Sequence, residues 1–281
     1  MEPAVPVLLL HGFLGSPRDF DGVRERWESL GHEPTSFVTV DLVQCACATS
    51  ETSQGRGDVG LDHLAREALT RIAPAQPQPR SIDVVGYSLG GRVLMALLAS
   101  ELGRCVRRAV MVSAHPGIES PSERAERQAQ DDALAAVLEG LAKECDPLVR
   151  RNRAFAVLVG WYSQPLFASL RAREDFEQVV ERRAQALAEP KTAATWGQIL
   201  RGCSPGSSQS QWGALAQQSS RLLALVGAKD ARYFATVDRL RALGVSVEVI
   251  ADAGHAIHLE ATDSLVNSVH RALRCETVSA Q

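Results

Sequence analysis

The stretch Ile82-Asp83-Val84-Val85-Gly86-Tyr87-Ser88-Leu89-Gly90-Gly91 sets an apolar run directly against a Gly-x-Ser-x-Gly turn, with a helix-compatible segment behind it. That order is the sequence form of a nucleophile elbow, in which a strand turns sharply into a helix. The turn forces its serine into strained backbone geometry and leaves room only for small neighbours, so Gly86 and Gly90 are required on steric grounds. Ser88 is therefore the candidate reactive atom. An ordinary strand-to-helix junction would also fit five residues alone, so the weight rests on what accompanies them.

Downstream, Leu222-Leu223-Ala224-Leu225-Val226-Gly227 reads as a strand that delivers Asp230 just past its end. A second strand over 245–250 leads to Ala253-Gly254-His255. The chain order Ser88, Asp230, His255 is that of the α/β-hydrolase triad and differs from the two common protease orders. A carboxylate beyond one strand and a histidine beyond the next can meet the serine at the carboxyl edge of a parallel sheet. Near the start, Val7-Leu8-Leu9-Leu10 runs into His11-Gly12-Phe13-Leu14-Gly15. Glycines there let backbone N–H groups turn toward an anion, and the Phe13 and Leu89 N–H groups form the expected oxyanion pair. His11 reads first as a brace for this loop through hydrogen bonds, and only second as a proton-transfer group.

Apolar runs near 5–10, 35–42, 81–86, 106–113, 221–227 and 245–250 are the expected strands, and amphipathic stretches near 19–30, 60–73, 90–103 and 262–274 the expected helices. This βα rhythm predicts an α/β-hydrolase fold: a mostly parallel sheet flanked by helices on both faces. The proline- and glutamine-rich stretch at 74–80 reads as a rigid surface connector. Between 114 and 220 the rhythm changes to charged, alanine-rich helical segments without a convincing strand. The expected organisation is a core of 1–113 and 221–281 with a helical cap, 114–220, over the carboxyl edge; 202–210 would be the return loop.

With 281 residues, 45% of them hydrophobic, the chain can build one large core. A formal charge of -3 provides no general basic field for nucleic acid. No run reaches membrane-spanning length, and no leader-like n- and h-regions precede the first strand, so a cytoplasmic location is expected. Six scattered cysteines fit a reducing compartment. Cys45 and Cys47 form a C-x-C pair without a matching second pair, so neither a metal site nor a cofactor is expected. Oligomeric state is not readable from these features.

Arg92 lies in the first helical turn after the elbow, where a cation opposes the positive end of the helix. A nearby anion would remove that objection; pairing to a core carboxylate or pointing to solvent would also fit. Arg127, Arg182 and Arg183 are further candidate carboxylate clamps among the ordinary surface charges of the 114–220 helices.

With these residues assembled, the chain resembles the 2-succinyl-6-hydroxy-2,4-cyclohexadiene-1-carboxylate synthases of menaquinone and phylloquinone biosynthesis. The resemblance rests on His11-Gly12-Phe13-Leu14-Gly15, Gly86 through Arg92, Trp161-Tyr162-Ser163-Gln164-Pro165-Leu166-Phe167, and Gly254-His255-Ala256-Ile257-His258-Leu259-Glu260. The elbow with Tyr87 and Arg92, combined with the Trp-Tyr-x-Gln-Pro-x-Phe segment, is the narrow part of the match. It implies Ser88, Asp230 and His255 as the triad, and Arg92 and Arg127 as holders of substrate carboxylates. It also implies Tyr87 and Trp161 as pocket residues, with a further arginine matched better by Arg182 than by Arg183.

The implied reaction is a carbon–oxygen lyase elimination of pyruvate from a small anionic substrate, with serine as base. The same apparatus could instead serve a serine esterase or carbon–carbon hydrolase. One departure stands out: after Asp41-Leu42 such synthases usually carry Pro-Gly-His-Gly and a serine, whereas this chain has Val43-Gln44-Cys45-Ala46-Cys47. Without its turn glycines and histidine, that loop is expected to take a different path beside the pocket.

Overall fold

A computed structural model describes residues 5–32, 36–48, 59–72 and 81–274. The connector expected at 74–80 lies outside the described residues. Among the described residues six strands, β1 (Val7–Leu10), β2 (Phe37–Val40), β3 (Ile82–Tyr87), β4 (Val106–Val112), β5 (Leu222–Gly227) and β6 (Ser246–Ile250), begin and end within two residues of the apolar runs. They form a single sheet in the order β2-β1-β3-β4-β5-β6, every neighbouring pair parallel. Each parallel crossover needs a covering helix, which is why the inner strands are apolar on both faces. All six residues of β3 are buried, Asp83 included, whose carboxylate binds Arg107 of β4 at 2.5 and 3.0 Å.

The order has a functional consequence. From β1 the chain steps outward to β2, then crosses back to lay β3 on the other side of β1. Connections leaving β1 and β3 diverge, so a crevice opens beyond their carboxyl ends, where open α/β sheets hold ligands. The register pairs Leu10 with Gly86, which brings the loop after β1 level with the elbow after β3.

Helix α1 (Asp21–Ser29) packs with the C-terminal helix, and α2 (Leu42–Cys47) leads into α3 (Leu61–Thr70), which packs on α4 (Leu89–Ala99). Every residue of α4 from Leu89 to Leu98 is buried, so this helix is central to the core. The altered segment after Asp41 is α2 itself. The Asp41 carboxylate caps it by accepting from the Val43 and Gln44 N–H groups at 2.8 and 3.4 Å. Replacing turn glycines with Val, Gln, Cys and Ala removes the cost of ordering glycine and lets the chain coil.

Between β4 and β5 the chain is helical: α5 (Pro121–Ala142), α6 (Pro147–Tyr162), α7 (Ala168–Arg171), α8 (Phe176–Leu187), α9 (Pro190–Cys203) and α10 (Trp212–Gln218). The long α5 lies along α9 and α6 lies against α8, while α10 returns to pack on α4. Helices α11 (Ala231–Phe234) and α12 (Val237–Ala242) precede β6, and α13 (Ile257–Glu260) and α14 (Thr262–Arg274) follow it among the described residues. Among the described residues no helix is long and apolar enough to cross a membrane.

Candidate active site

Ser88 sits between β3 and α4 with φ 52° and ψ -111°, a left-handed conformation strained for a residue with a Cβ. The strain is held by close packing. A Cβ on Gly86 would lie 2.5 Å from the Gly90 carbonyl oxygen, and one on Gly90 would run into the Leu10 carbonyl of β1. The Ser88 N–H donates to Val112 O at 2.9 Å, which ties the elbow to β4.

Asp230 follows β5, is fully buried, and caps α11 by accepting the Tyr233 N–H at 3.2 Å. Its other oxygen lies 2.7 Å from His255 Nδ1, and His255 Nε2 lies 3.1 Å from Ser88 Oγ. A carboxylate only accepts, so Nδ1 carries the proton and donates to Asp230; the Nε2 lone pair then accepts the Ser88 hydroxyl. The three residues that order and spacing nominated thus form one hydrogen-bonded line across three strand ends.

The loop carrying His255 has a support that sequence reasoning missed. Glu260 in α13 turns its carboxylate back along the loop and accepts the Gly254 N–H at 2.8 Å and the Ala256 N–H at 2.9 Å. One side chain therefore fixes the peptide groups on either side of the histidine. The only signal was an acid five residues beyond His255 in a segment quoted for its resemblance.

His11 is a brace. Its Nε2 accepts the Leu42 N–H at 3.1 Å, which leaves the proton on Nδ1, and Nδ1 donates to Gly12 O at 2.9 Å. It thereby ties the loop after β1 to the start of α2. From α2, Cys47 Sγ reaches Thr195 Oγ1 of α9 at 3.4 Å, so the altered segment docks against the helical insertion. Cys45 is buried with its thiol pushed up to about 12, chiefly by loss of solvation. Among the described residues no cluster of three or more histidine, cysteine or acidic side chains could hold a metal.

Ser88, Leu89, Phe13 and His255 open onto a cavity of about 80 Å³ that Trp161, Phe167 and Cys203 also line. Trp161 packs edge-on against Phe13 at 4.9 Å, and Tyr233 and Phe167 flank the His255 ring at 4.7 and 5.3 Å. As the first residue of α4, Leu89 has a backbone N–H without an intrahelical acceptor.

Arg92 also lines this cavity and is almost completely buried. One of its terminal nitrogens donates to the Cys203 carbonyl, and its Nε has no partner. Burial holds this guanidinium below its ordinary pKa. Among the described residues it pairs with no carboxylate, and it is buried rather than in solvent. Arg127 reaches the same cavity while donating to Asp131 at 2.8 Å, and Asp131 is itself held by Ser204 at 2.6 Å.

Three nominated residues, Tyr87, Arg182 and Arg183, lie outside the lining of this cavity. Tyr87 is buried, its ring 4.1 Å from His258 and 5.5 Å from His255 and packed against Gly12 of the loop after β1. Arg182 and Arg183 both line a separate cavity; Arg182 is exposed, whereas Arg183 turns inward to Asp19 at 2.7 Å and to the Tyr162 hydroxyl. Successive helical residues diverge by about 100°. Val180, Ala184 and Leu187 mark the buried side of α8, and Arg183 lies beside it while Arg182 does not.

A second cavity of about 600 Å³ adjoins the first and shares with it His115, Ile118, Arg127 and Arg232. His115 accepts the Gly117 N–H through Nδ1 at 3.0 Å. Its pKa is pushed down to about 4, first by burial and then by Arg232, Arg92, Arg239 and Arg127.

Comparison with known proteins agrees with this architecture. Residues 7–267 match the model of the alpha/beta hydrolase family. The 2-succinyl-6-hydroxy-2,4-cyclohexadiene-1-carboxylate synthase of Escherichia coli O157:H7 is 30% identical over 275 residues, covering 97% of this chain and 96% of the relative. The Arabidopsis thaliana protein PHYLLO, chloroplastic, is 25% identical over 95% of this chain, which spans 15% of PHYLLO's length. Among solved structures, MenH from S. aureus superposes with a TM-score of 0.77 at 23% identity, covering 97% of this chain and 94% of that one. The chain belongs to the alpha/beta hydrolase family, as an enzyme akin to the 2-succinyl-6-hydroxy-2,4-cyclohexadiene-1-carboxylate synthases.

Proposed function

We propose that the enzyme is a carbon–oxygen lyase that eliminates pyruvate from 2-succinyl-5-enolpyruvyl-6-hydroxy-3-cyclohexene-1-carboxylate, giving 2-succinyl-6-hydroxy-2,4-cyclohexadiene-1-carboxylate. The observation that carries this reading is Arg92. A buried guanidinium with an unpaired Nε, facing a cavity beside a reactive serine, is costly unless a ligand supplies the anion. Arg127 beside it supports a substrate bearing more than one carboxylate. The names of the relatives supply the substrate; the cavity supplies the reason an anionic one would fit.

In this mechanism His255, oriented by Asp230, accepts the Ser88 proton. The alkoxide removes the ring proton next to the succinyl carbonyl, and charge moves onto that oxygen. The Phe13 and Leu89 N–H groups stabilise it there. Collapse of the enolate breaks the ring carbon–oxygen bond and expels enolpyruvate, which takes up a proton at carbon to become pyruvate. Serine acts as a base, and no acyl-enzyme forms. Under the same reading, 114–220 is a cap over a core of 1–113 and 221–281, and Trp161 closes the pocket from the cap side.

The test follows pyruvate release and diene absorbance together, with p-nitrophenyl acetate hydrolysis as the rival activity. Stoichiometric pyruvate and diene support the lyase. Efficient ester turnover with no pyruvate above the spontaneous rate would replace it with a serine hydrolase.

A further inference from the structure

The Ser88 cavity is too small for the proposed substrate. At about 80 Å³ it falls well short of the roughly 300–1,000 Å³ of ordinary small-molecule sites. The adjoining cavity of about 600 Å³ supplies the missing room, and a ligand spanning both must pass the wall formed by His115, Ile118, Arg127 and Arg232. In the proposed mechanism the succinyl carbonyl lies at the Phe13 and Leu89 N–H groups. The flexible arm continuing from that carbonyl, which ends in a carboxylate, is then the part that extends across the wall.

On the basis of that reading, we propose that Arg232 is a specificity-determining residue that holds the terminal carboxylate of the succinyl arm where the two cavities meet. The arginines around the outer cavity differ in what already occupies them. Arg127 is engaged by Asp131. Arg239 is engaged by Glu119 at 2.7 Å and lies on the Trp212 ring at 4.0 Å. Arg232, among the described residues, has no hydrogen-bond or ion-pair partner, yet it lines both cavities. It stands two residues past Asp230 on α11, so the element that orients His255 also sets its position.

His115 complements it. Because Nδ1 accepts the Gly117 N–H, the neutral ring carries its proton on Nε2 and offers a donor within the same wall. Glu123 and Glu126 also line the outer cavity but not the inner one, and their charge disfavours a carboxylate beside them, whereas Arg232 belongs to both linings.

The experiment titrates wild type, Arg232→Ala and Arg232→Lys with two stable ligands, read by tryptophan fluorescence from Trp161 and Trp212. The first, 2-succinylbenzoate, has the succinyl arm and ring carboxylate. The second, 2-butanoylbenzoate, lacks the terminal carboxylate. Arg232→Ala is expected to weaken 2-succinylbenzoate binding about tenfold or more, with Arg232→Lys intermediate, and to leave 2-butanoylbenzoate binding within about twofold. In the pyruvate assay the same substitution should raise KM by a similar factor while kcat changes little. Equal loss for both ligands, no loss for either, or no binding of 2-succinylbenzoate by wild type would overturn the assignment. Arg232-dependent binding without pyruvate release would retain this residue's role and reject the lyase. Pyruvate release with kinetics indifferent to Arg232 would do the reverse.

Discussion

The sheet edge and the helical insertion hold their functional groups by different means. At the edge, the main chain does the holding. Ser88 is fixed by its own φ and by glycine packing, Asp230 by the α11 cap it makes, and His255 by Glu260 gripping the peptides on both sides. In the insertion, side chains hold one another across elements. Arg127 meets Asp131 and Ser204, Arg201 meets Glu139 and Asp132, and Arg183 meets Asp19. Main-chain placement leaves a local signature in sequence, whereas side-chain pairing between helices leaves almost none.

The largest expected effect breaks the edge. Ser88→Ala should reduce pyruvate release about 10³-fold or more while the thermal midpoint stays near that of wild type, since the hydroxyl is a catalytic group and not a packing one. A loss of only a few-fold, with folding intact, would move the reactive centre elsewhere.

Arg92 tests the boundary between the regions, because it rises from α4 and bonds to the Cys203 carbonyl at the end of α9. Arg92→Ala should cost about 2–5 kcal/mol in transition-state binding, about 30- to 4,000-fold in kcat/KM. Arg92→Lys should recover part of it, because charge returns without the planar fork. Equal activity of Arg92→Lys and wild type would show that charge alone suffices.

Where the insertion meets the segment after β1, the Asp19–Arg183 pair predicts a stability effect. Burial alone would raise the Asp19 pKa, but Arg183, His258, His11 and the Ser16 N–H outweigh it and leave it below 3.8. A carboxylate with a depressed folded pKa contributes fully above its unfolded value, and that contribution is lost as pH falls through the folded one. Asp19→Asn should therefore destabilise the protein by about 3 kcal/mol near neutral pH. The gap from wild type should narrow as pH falls below about 4. A gap constant with pH in urea titrations would show that the carboxylate's charge is not what stabilises this contact.

The smallest effect is expected where the altered segment touches α9. Replacing Cys45 and Cys47 together with alanine should change kcat/KM by less than about threefold and stability by about 1 kcal/mol, as ordinary loss of packing. Stoichiometric metal in protein purified without added metal, and absent from the double variant, would overturn that expectation.

Two particular residues show where sequence reading stops. The resemblance points to Arg182 over Arg183, yet the buried side of α8 brings Arg183 inward and leaves Arg182 exposed. The resemblance implies Tyr87 as a pocket residue, but its ring packs 4.1 Å from the His258 ring and is not among the residues lining the Ser88 cavity. Conversely, His115 and Arg232 carried no motif. They meet only because the turn after β4 and the first turn of α11 converge beyond the sheet.

The sequence by itself determined the parallel α/β architecture, the elbow and the order of the triad. Apolar periodicity, small residues at a sterically closed turn, and catalytic residues just past strand ends are local requirements written in consecutive residues. Only the tertiary structure decided which arginines face the reaction, that Glu260 steadies His255, that the Val43–Cys47 stretch coils into a helix against the insertion, and that a second cavity opens beside the first. Those outcomes depend on how separate helices rotate and meet, and that rotation is settled by packing across the whole molecule.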